Sequence, residues 1–265
     1  MENWKEKYGQ WALVLGATDG IGKEFVKYFA ANKMDVLLVG RRQDALQELG
    51  LAIEKEYGVA FQVLVQDLTA ADAAQVLIER TRDLDVGIMN FVACSYTMGS
   101  YHKIGFDAHQ RVLNININNY SALLYHFAGV FAAKKRGGII TMSSLTAFCG
   151  NPYNAEYAAT KAYMQILTES IAGELKPHGV DVLVITAGST RTPDWYKNQP
   201  AGVSAEDTTG TMSPAEVVLD GMPQLGKSFT HIAGEHNRAA YHHFLSDMTR
   251  DETTNMFGGF YSHLA

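Results

Sequence analysis

The chain has 265 residues, of which 47% are hydrophobic and 19% are charged. That length can bury one sizeable core, so we expect a single domain over residues 1–265. The net charge of −6 and the lack of a basic run exclude nucleic acid and an anionic membrane surface as expected partners. A small-molecule ligand is favoured.

Signals for secretion, membrane insertion and metal binding are also missing. Residues 1–10 are polar, unlike a secretory signal, and no apolar stretch reaches the roughly 18 residues that span a bilayer. Cys94 and Cys149 are the only cysteines, too few for a disulfide framework or a cysteine metal site. We expect both to be buried and reduced in a cytoplasmic protein. The spacing of the histidines predicts no metal site.

Short runs rich in Val, Ile and Leu alternate along the chain with segments of helical periodicity. The predicted strands are Trp11–Gly16, Asp35–Val39, Phe61–Val65, Val86–Ala93, Gly138–Met142 and Val180–Thr186. Helices are predicted between them, including Phe106–Arg136 and Asn154–Lys176. Alternation of this kind is typical of an α/β fold with one doubly wound, Rossmann-type parallel sheet and helices on both faces.

The stretch Gly188–Ser213 is the one long irregular region that the pattern predicts, and it follows the sixth strand. Loops beyond the carboxyl ends of parallel strands line ligand sites, so we expect a substrate lid there. A mobile surface loop is the alternative.

A glycine-rich turn joins the first strand to the first helix. It reads Gly16-Ala-Thr18-Asp19-Gly20-Ile21-Gly22. Glycines in this place allow a tight turn and close approach of the backbone to a pyrophosphate, and the helix N-terminus offers free N–H groups to the anion. A purely structural turn is the alternative.

The end of the second strand indicates which cofactor would bind. An NAD enzyme usually has Asp or Glu here, whereas this chain has Gly40 followed by Arg41 and Arg42. Guanidinium groups can bind a 2′-phosphate, so NADP(H) is favoured, unless the arginines are only a solvated helix face. Asp67, after the third strand, is placed either to accept from an adenine amino group or to cap the helix predicted over Ala70–Arg80.

Tyr157 and Lys161 are the candidate catalytic pair. They are four residues apart, so they share one helix face, and that helix follows a strand ending at Ser144. A phenol with pKa about 10 is a poor base at neutral pH. A nearby ammonium and an oxidised nicotinamide both favour the phenolate, so we expect Tyr157 to transfer the proton.

These motifs, taken in order, resemble the short-chain dehydrogenase/reductase family from about residue 10 to residue 235; residues 234–265 would then form a C-terminal extension. The resemblance implies that Tyr157 donates or accepts the proton, Lys161 lowers its pKa and holds the nicotinamide ribose, and Ser144 hydrogen-bonds the substrate oxygen. It also implies an Asn that holds a proton-relay water, for which Asn118 fits the motif best and Asn116 is the rival. The remaining residues that it places at the cofactor are Gly16, Thr18, Asp19, Gly20, Ile21, Gly22, Arg41, Arg42, Asp67, Leu68, Ala93, Gly188, Thr190 and Thr192.

Two segments depart from the family pattern. Leu15 stands where the family usually has Thr, and Phe91-Val92-Ala93-Cys94 stands where it usually has Asn-Asn-Ala-Gly. We expect these segments to lie on adjacent strands, where apolar packing replaces a polar contact.

Several further segments are similar to one group within the family, the bacterial 7β-hydroxysteroid dehydrogenases that act on bile acids. They are 6–11, 15–20, 39–42, 92–94, 187–190 and 232–237, whereas Ser95 and Tyr96 depart from that group. The similarity implies NADP-dependent interconversion of a 7β-hydroxyl and a 7-ketone. Another steroid position, a 3-ketoacyl or small ketone substrate, and a non-catalytic NADP(H)-binding regulator are the alternatives.

A steroid would need an apolar cleft, and aromatic residues near the predicted site could line it. The candidates are Tyr96, Met98, Phe148, Tyr153, Trp195 and Tyr196, each of which could instead be an ordinary core or surface residue. Extra apolar residues on the helices Phe106–Arg136 and Asn154–Lys176 indicate a homodimer or homotetramer.

Overall fold

The computed structural model describes residues 3–198 and 210–261. Seven parallel strands form one sheet in the order β3-β2-β1-β4-β5-β6-β7. The strands are β1 (Trp11–Leu15), β2 (Asp35–Gly40), β3 (Phe61–Val65), β4 (Val86–Phe91), β5 (Gly137–Ser144), β6 (Val180–Ala187) and β7 (Thr230–Ile232).

Helices connect the strands and flank the sheet. They are α1 (Trp4–Lys7), α2 (Gly20–Ala31), α3 (Gln43–Tyr57), α4 (Ala73–Thr81), α5 (Phe106–Leu113), α6 (Tyr120–Lys134), α7 (Ala155–Leu175), α8 (Pro193–Lys197), α9 (Pro214–Gly221), α10 (Glu235–Ser246) and α11 (Arg250–Phe260). The doubly wound parallel architecture that the sequence predicts is therefore confirmed.

Two apolar layers hold the sheet, one on each face. Side chains of α2, α3 and α9 pack on one face, and those of α4, α6 and α7 pack on the other. All residues of β1, β2 and β4 are buried, because a parallel sheet covered on both sides needs continuous apolar strands. Leu15 and Phe91 are paired on adjacent strands and both are fully buried, so apolar packing does occupy the two positions that depart from the family pattern.

Two features differ from the sequence prediction. Strand β7 was missed, because Thr230–Ile232 is three residues long and partly exposed at the sheet edge, too short for a periodic signal. The helix predicted over Phe106–Arg136 contains a π-helical turn at Asn114–Asn119, between α5 and α6. Such turns shift the register of the side chains that follow, and they are frequent at functional sites.

Candidate active site

The glycine turn between β1 and α2 leaves no room for side chains. Gly16 has φ +94°, and a Cβ there would lie 2.8 Å from the backbone nitrogen of Ala93. A Cβ on Gly22 would lie 1.9 Å from the Gly16 carbonyl oxygen. The bare backbone and the first N–H groups of α2 thus form a cradle that fits a pyrophosphate. A Cβ on Gly20 would approach Thr192 to 3.1 Å, so the chain after β6 faces this turn.

The end of β2 presents two guanidinium groups. Gly40 is buried, and a Cβ there would lie 2.7 Å from the Thr18 hydroxyl oxygen. Arg41 and Arg42 are both exposed. The Arg42 guanidinium pairs with the Asp19 carboxylate, so the acidic group here comes from the glycine turn and not from the strand.

The turn after β3 is held by an asparagine that the sequence analysis did not single out. The Asp67 carboxylate accepts from the Thr69 backbone N–H and hydroxyl, both at 2.9 Å. Because α4 begins at Ala73, the alternative role of Asp67 as its cap is wrong. The Asn119 amide donates to the backbone carbonyl of Leu68 at 2.9 Å. The Leu68 side chain is buried in the core, so only its backbone can face a ligand.

Ser144, Tyr157 and Lys161 come together at the carboxyl edge of the sheet. Ser144 ends β5, and Tyr157 and Lys161 lie one turn apart at the start of α7. The Lys161 side chain is almost fully buried; its Nζ donates to the Met142 carbonyl at 2.7 Å and lies 5.7 Å from the centre of the Tyr157 ring. The Ser144 hydroxyl accepts from the Thr146 backbone N–H at 3.3 Å. This arrangement brings a phenol, an ammonium and a hydroxyl to one site.

The surroundings of Tyr157 act against its ionisation. Burial raises the pKa of the Tyr157 phenol, and a hydrogen bond with Ser144 lowers it only in part. Burial also lowers the pKa of the Lys161 ammonium. From the sequence, we expect Lys161 together with an oxidised nicotinamide to favour the phenolate of Tyr157. The groups of the protein itself raise the pKa of Tyr157 instead, because removing a phenolate from water is costly.

The structure contradicts the assignment of Asn118 and favours Asn116. The Asn118 side chain is exposed and donates to Asn114 at 3.0 Å, away from the catalytic pair. Asn116 is fully buried, and its amide donates to the Thr160 hydroxyl at 2.9 Å. Its side chain also bonds both backbone groups of Ser95, at 3.0 and 2.8 Å. The π-helical turn decides which asparagine faces α7, and motif spacing alone does not reveal it.

The segment after β6 joins the predicted lid to the C-terminal extension. The Thr190 hydroxyl donates to the Gly188 carbonyl at 3.1 Å, and the Thr192 hydroxyl caps α8 by accepting from the Trp195 N–H at 3.1 Å. A Cβ on Gly188 would lie 2.2 Å from the Asn237 side chain, so this segment packs closely against α10. Residues 199–209 of the predicted lid lie outside the described residues.

Only part of the proposed apolar cleft assembles around Tyr157. The Tyr96 ring stands perpendicular to the Tyr157 ring with centroids 6.1 Å apart. The Phe148 ring instead packs against the Tyr241 ring of α10, with centroids 4.5 Å apart. The Tyr153 carbonyl accepts from the Gly99 N–H at 2.8 Å.

The other candidates for the cleft contact the lid or are partly exposed. The Trp195 indole donates to the Ser189 hydroxyl at 2.7 Å. Tyr196 is 55% exposed, and Met98 is partly buried.

Tyr261 at the site was not singled out in the sequence, and Cys94 differs from its predicted burial. Tyr261, which follows α11, adds to burial in raising the pKa of Tyr157 and hydrogen-bonds with Asn154. Cys94 is exposed next to the site, so the expectation that both cysteines are buried is wrong for Cys94 and confirmed for Cys149.

Within residues 3–198 and 210–261, no group of three or more His, Cys, Asp or Glu side chains could hold a metal ion. None of the helices in the described ranges combines the length and apolarity that crossing a membrane requires.

Comparison with known proteins identifies the family. The family model for short chain dehydrogenases matches residues 10–201. The 7β-hydroxysteroid dehydrogenase of Clostridium sardiniense is 45% identical over 99% of this chain and 100% of its own length. That of Collinsella aerofaciens is 37% identical over 98% of this chain and 99% of its own. A solved structure from a study of 7β-hydroxysteroid dehydrogenase stereoselectivity is 37% identical, with a TM-score of 0.93 over 97% of this chain and 100% of that one.

The family match, the full-length similarity and the position of Ser144, Tyr157 and Lys161 agree with one another. The chain therefore belongs to the short-chain dehydrogenase/reductase family and is an oxidoreductase.

Proposed function

We propose that the protein is an NADP(H)-dependent hydroxysteroid dehydrogenase that interconverts a 7β-hydroxyl and a 7-keto group on bile acids. The observation that carries the proposal is the placement of Tyr157 and Lys161 on one face of α7 beside Ser144. Full-length similarity to 7β-hydroxysteroid dehydrogenases supports the substrate class. A non-catalytic NADP(H)-binding regulator has no need of this triad.

The residues that would hold NADP(H) fit its chemical parts. The cradle of Gly16 and Gly22 at the start of α2 suits the pyrophosphate, and Arg41 and Arg42 suit the 2′-phosphate. We assign Thr192, which faces the glycine turn, to the nicotinamide end. When bound, the cofactor supplies a hydride acceptor for oxidation and a hydride donor for reduction.

The protein's part in the reaction is proton transfer and stabilisation of charge. In oxidation, Tyr157 accepts the proton of the substrate hydroxyl; in reduction, it returns a proton to the oxygen. Ser144 donates a hydrogen bond to that oxygen while charge develops on it. Lys161 supplies the positive charge that favours the phenolate, against the effect of burial. Asn116 is the residue to which we assign the relay water.

A regiospecific substrate screen tests this proposal. The purified protein is incubated with NADP or NAD and with bile acids hydroxylated at 7α, 7β, 3α or 12α, while absorbance at 340 nm is followed and products are separated by chromatography. We expect the 7-ketone from the 7β-hydroxy substrate with NADP. Oxidation at another carbon, or of no steroid, would overturn the assignment of the substrate.

We assign the lid between β6 and α9 to the substrate and expect Trp195 to contribute apolar surface. The Trp195→Ala variant should raise KM for bile acids by about 10-fold or more, because Trp195 is partly exposed and a bound steroid would bury its ring. KM for NADP should change little. Steady-state kinetics with each ligand varied in turn measures both, and Lys197→Ala in α8 is the matched control. An unchanged KM for bile acids in a folded Trp195→Ala protein would show that the lid is not part of the substrate site.

We also propose that the protein forms a homodimer or homotetramer through the outer face of α5, α6 and α7. Large apolar side chains are exposed there: Phe106 by 68%, Tyr125 by 85% and Ile166 by 62%. A patch of this kind on three adjacent helices is typical of a symmetric interface. Tyr125→Glu should shift the protein to monomer in light scattering after size exclusion, whereas Leu51→Glu on α3 should not. A wild-type monomer would contradict this proposal.

We place the enzyme in the cytoplasm. The two cysteines are both free, and Cys94 is exposed beside the site, where an oxidising compartment would modify it. Subcellular fractionation tests this assignment.

A further inference from the structure

The chain between β4 and α5 borders the active site without regular secondary structure for most of its length. We call residues 94–103 the wall segment. It carries Tyr96, whose ring contacts the Tyr157 ring, and it ends in a short 3-10 helix at Tyr101–Lys103. No strand or long helix holds this segment. The Gly99 N–H donates to the Tyr153 carbonyl and the Asn198 amide donates to the Tyr96 hydroxyl, both at 2.8 Å, and beyond these bonds its position depends on contacts made by neighbouring side chains.

His109 joins the wall segment to the catalytic helix. It lies on α5 and is only 3% exposed. Its Nδ1 pairs with the carboxyl group of Glu156, the residue before Tyr157. Its Nε2 lies 3.2 Å from the Tyr101 carbonyl oxygen, and the His109 and Tyr101 rings are 4.4 Å apart. One buried imidazole therefore spans two elements that border the reacting groups.

The chemistry of these partners restricts the protonation of the pair. A carbonyl oxygen can only accept, so Nε2 of His109 carries a hydrogen and donates to Tyr101. Nδ1 and the Glu156 carboxyl must then share one proton, since two acceptors facing each other would repel. Leaving either buried nitrogen unsatisfied is costly, which holds His109 to both partners.

Asn116 makes the same kind of bridge at the other end of the wall segment. It bonds Thr160 of α7 on one side and Ser95 on the other. The wall segment is thus tied to α7 at both ends, by Asn116 near Ser95 and by His109 near Tyr101. Tyr96 lies between the two ties.

We propose that His109 and Glu156 are positioning residues that hold Tyr96 against Tyr157 and so set the width of the substrate cleft. They act through the wall segment and do not touch the reacting atoms. The choice of a bulky steroid as the probe rests on the proposed function, but the effect on the wall segment does not.

The test uses three variants and one control in the full-length protein. His109→Phe keeps a ring against Tyr101 but removes both hydrogen bonds. Glu156→Leu removes the tie to α7, whereas the amide of Glu156→Gln can still donate to Nδ1. His231→Phe is the matched control, because His231, which is partly buried, is likewise paired with a carboxylate, that of Asp220, at 2.8 Å.

Two readouts separate positioning from general loss of stability. With a 7-keto bile acid, His109→Phe and Glu156→Leu should raise KM by about 10–100-fold, as expected for displacement of a substrate-positioning group. The kcat and the Kd for NADPH should stay within about threefold of wild type. Hydrogen exchange of residues 94–103 should become about tenfold faster in the same two variants, because local contacts that protect the segment are lost. Glu156→Gln and His231→Phe should resemble wild type both in KM for the bile acid and in the hydrogen exchange of residues 94–103.

Unchanged exchange in the wall segment of His109→Phe would overturn the proposal, as would an equal rise of KM in His231→Phe. If wild type does not turn over the steroid, the proposed function fails, and the exchange measurement still decides the role of His109.

Discussion

Replacing Tyr157 with phenylalanine should reduce turnover by about 10²–10⁴-fold while the protein stays folded and binds NADPH. A positioned acid–base group contributes about that much to a rate. The substitution removes one hydroxyl and leaves the ring, so packing against Tyr96 is kept. The measurement is kcat for steroid oxidation together with the Kd for NADPH from fluorescence titration.

Tyr163→Phe is the matched control for this result. Tyr163 lies on the same helix and also loses one hydroxyl, which bonds Ser121 at 2.9 Å on the outer face. It should retain nearly full activity. Near-wild-type turnover by the Tyr157→Phe protein would contradict the assignment of Tyr157 as the proton-transfer residue, whatever family the chain belongs to.

The pH dependence of the same reaction checks the role of charge. Burial raises the pKa of Tyr157, so oxidation, which needs the phenolate, should increase toward alkaline pH. Reduction needs the protonated phenol and should decrease over the same range. Lys161→Ala removes a positive charge that favours phenolate, so the rise in oxidation should move to higher pH. A pH profile unchanged in Lys161→Ala would contradict the electrostatic role of Lys161.

Changing Gly40 to Asp together with Arg41 to Ala should reverse the preference for NADP(H). Each lost hydrogen bond to a charged phosphate costs about 1.5–3 kcal/mol, which corresponds to about 10–100-fold in affinity. The new carboxylate would repel the 2′-phosphate and accept from the ribose hydroxyls of NAD. The Thr18 side chain must move to admit it, since its hydroxyl lies 2.7 Å from the new Cβ position.

The values of kcat/KM for NADPH and NADH measure this preference. Gln43→Ala, on the neighbouring exposed turn of α3, is the control and should leave the preference unchanged. Wild-type protein that uses NADH as well as NADPH would show that Arg41 and Arg42 do not select the cofactor.

The amino-acid sequence by itself determined the alternation of the first six strands with helices, the glycine cradle and the pairing of Tyr157 with Lys161. These features are local: continuous apolar runs specify strands buried on both faces, and a spacing of four residues specifies one helix face. The need for glycine at positions 16 and 22 is also a local feature, because a turn that lies this close to other backbone has no room for a side chain.

Only the tertiary structure decided which asparagine faces α7, how Arg42 pairs with Asp19, and that the Tyr96 ring lies beside the Tyr157 ring. Four asparagines lie within residues 114–119, and a π-helical turn, which has no clear sequence signal, rotates Asn116 inward and Asn118 outward. His109 and Glu156 are 47 residues apart, so no periodicity connects them. Their contact exists because the packing of α5 against α7 brings the two side chains together in the interior, where an unpaired polar group is too costly to leave.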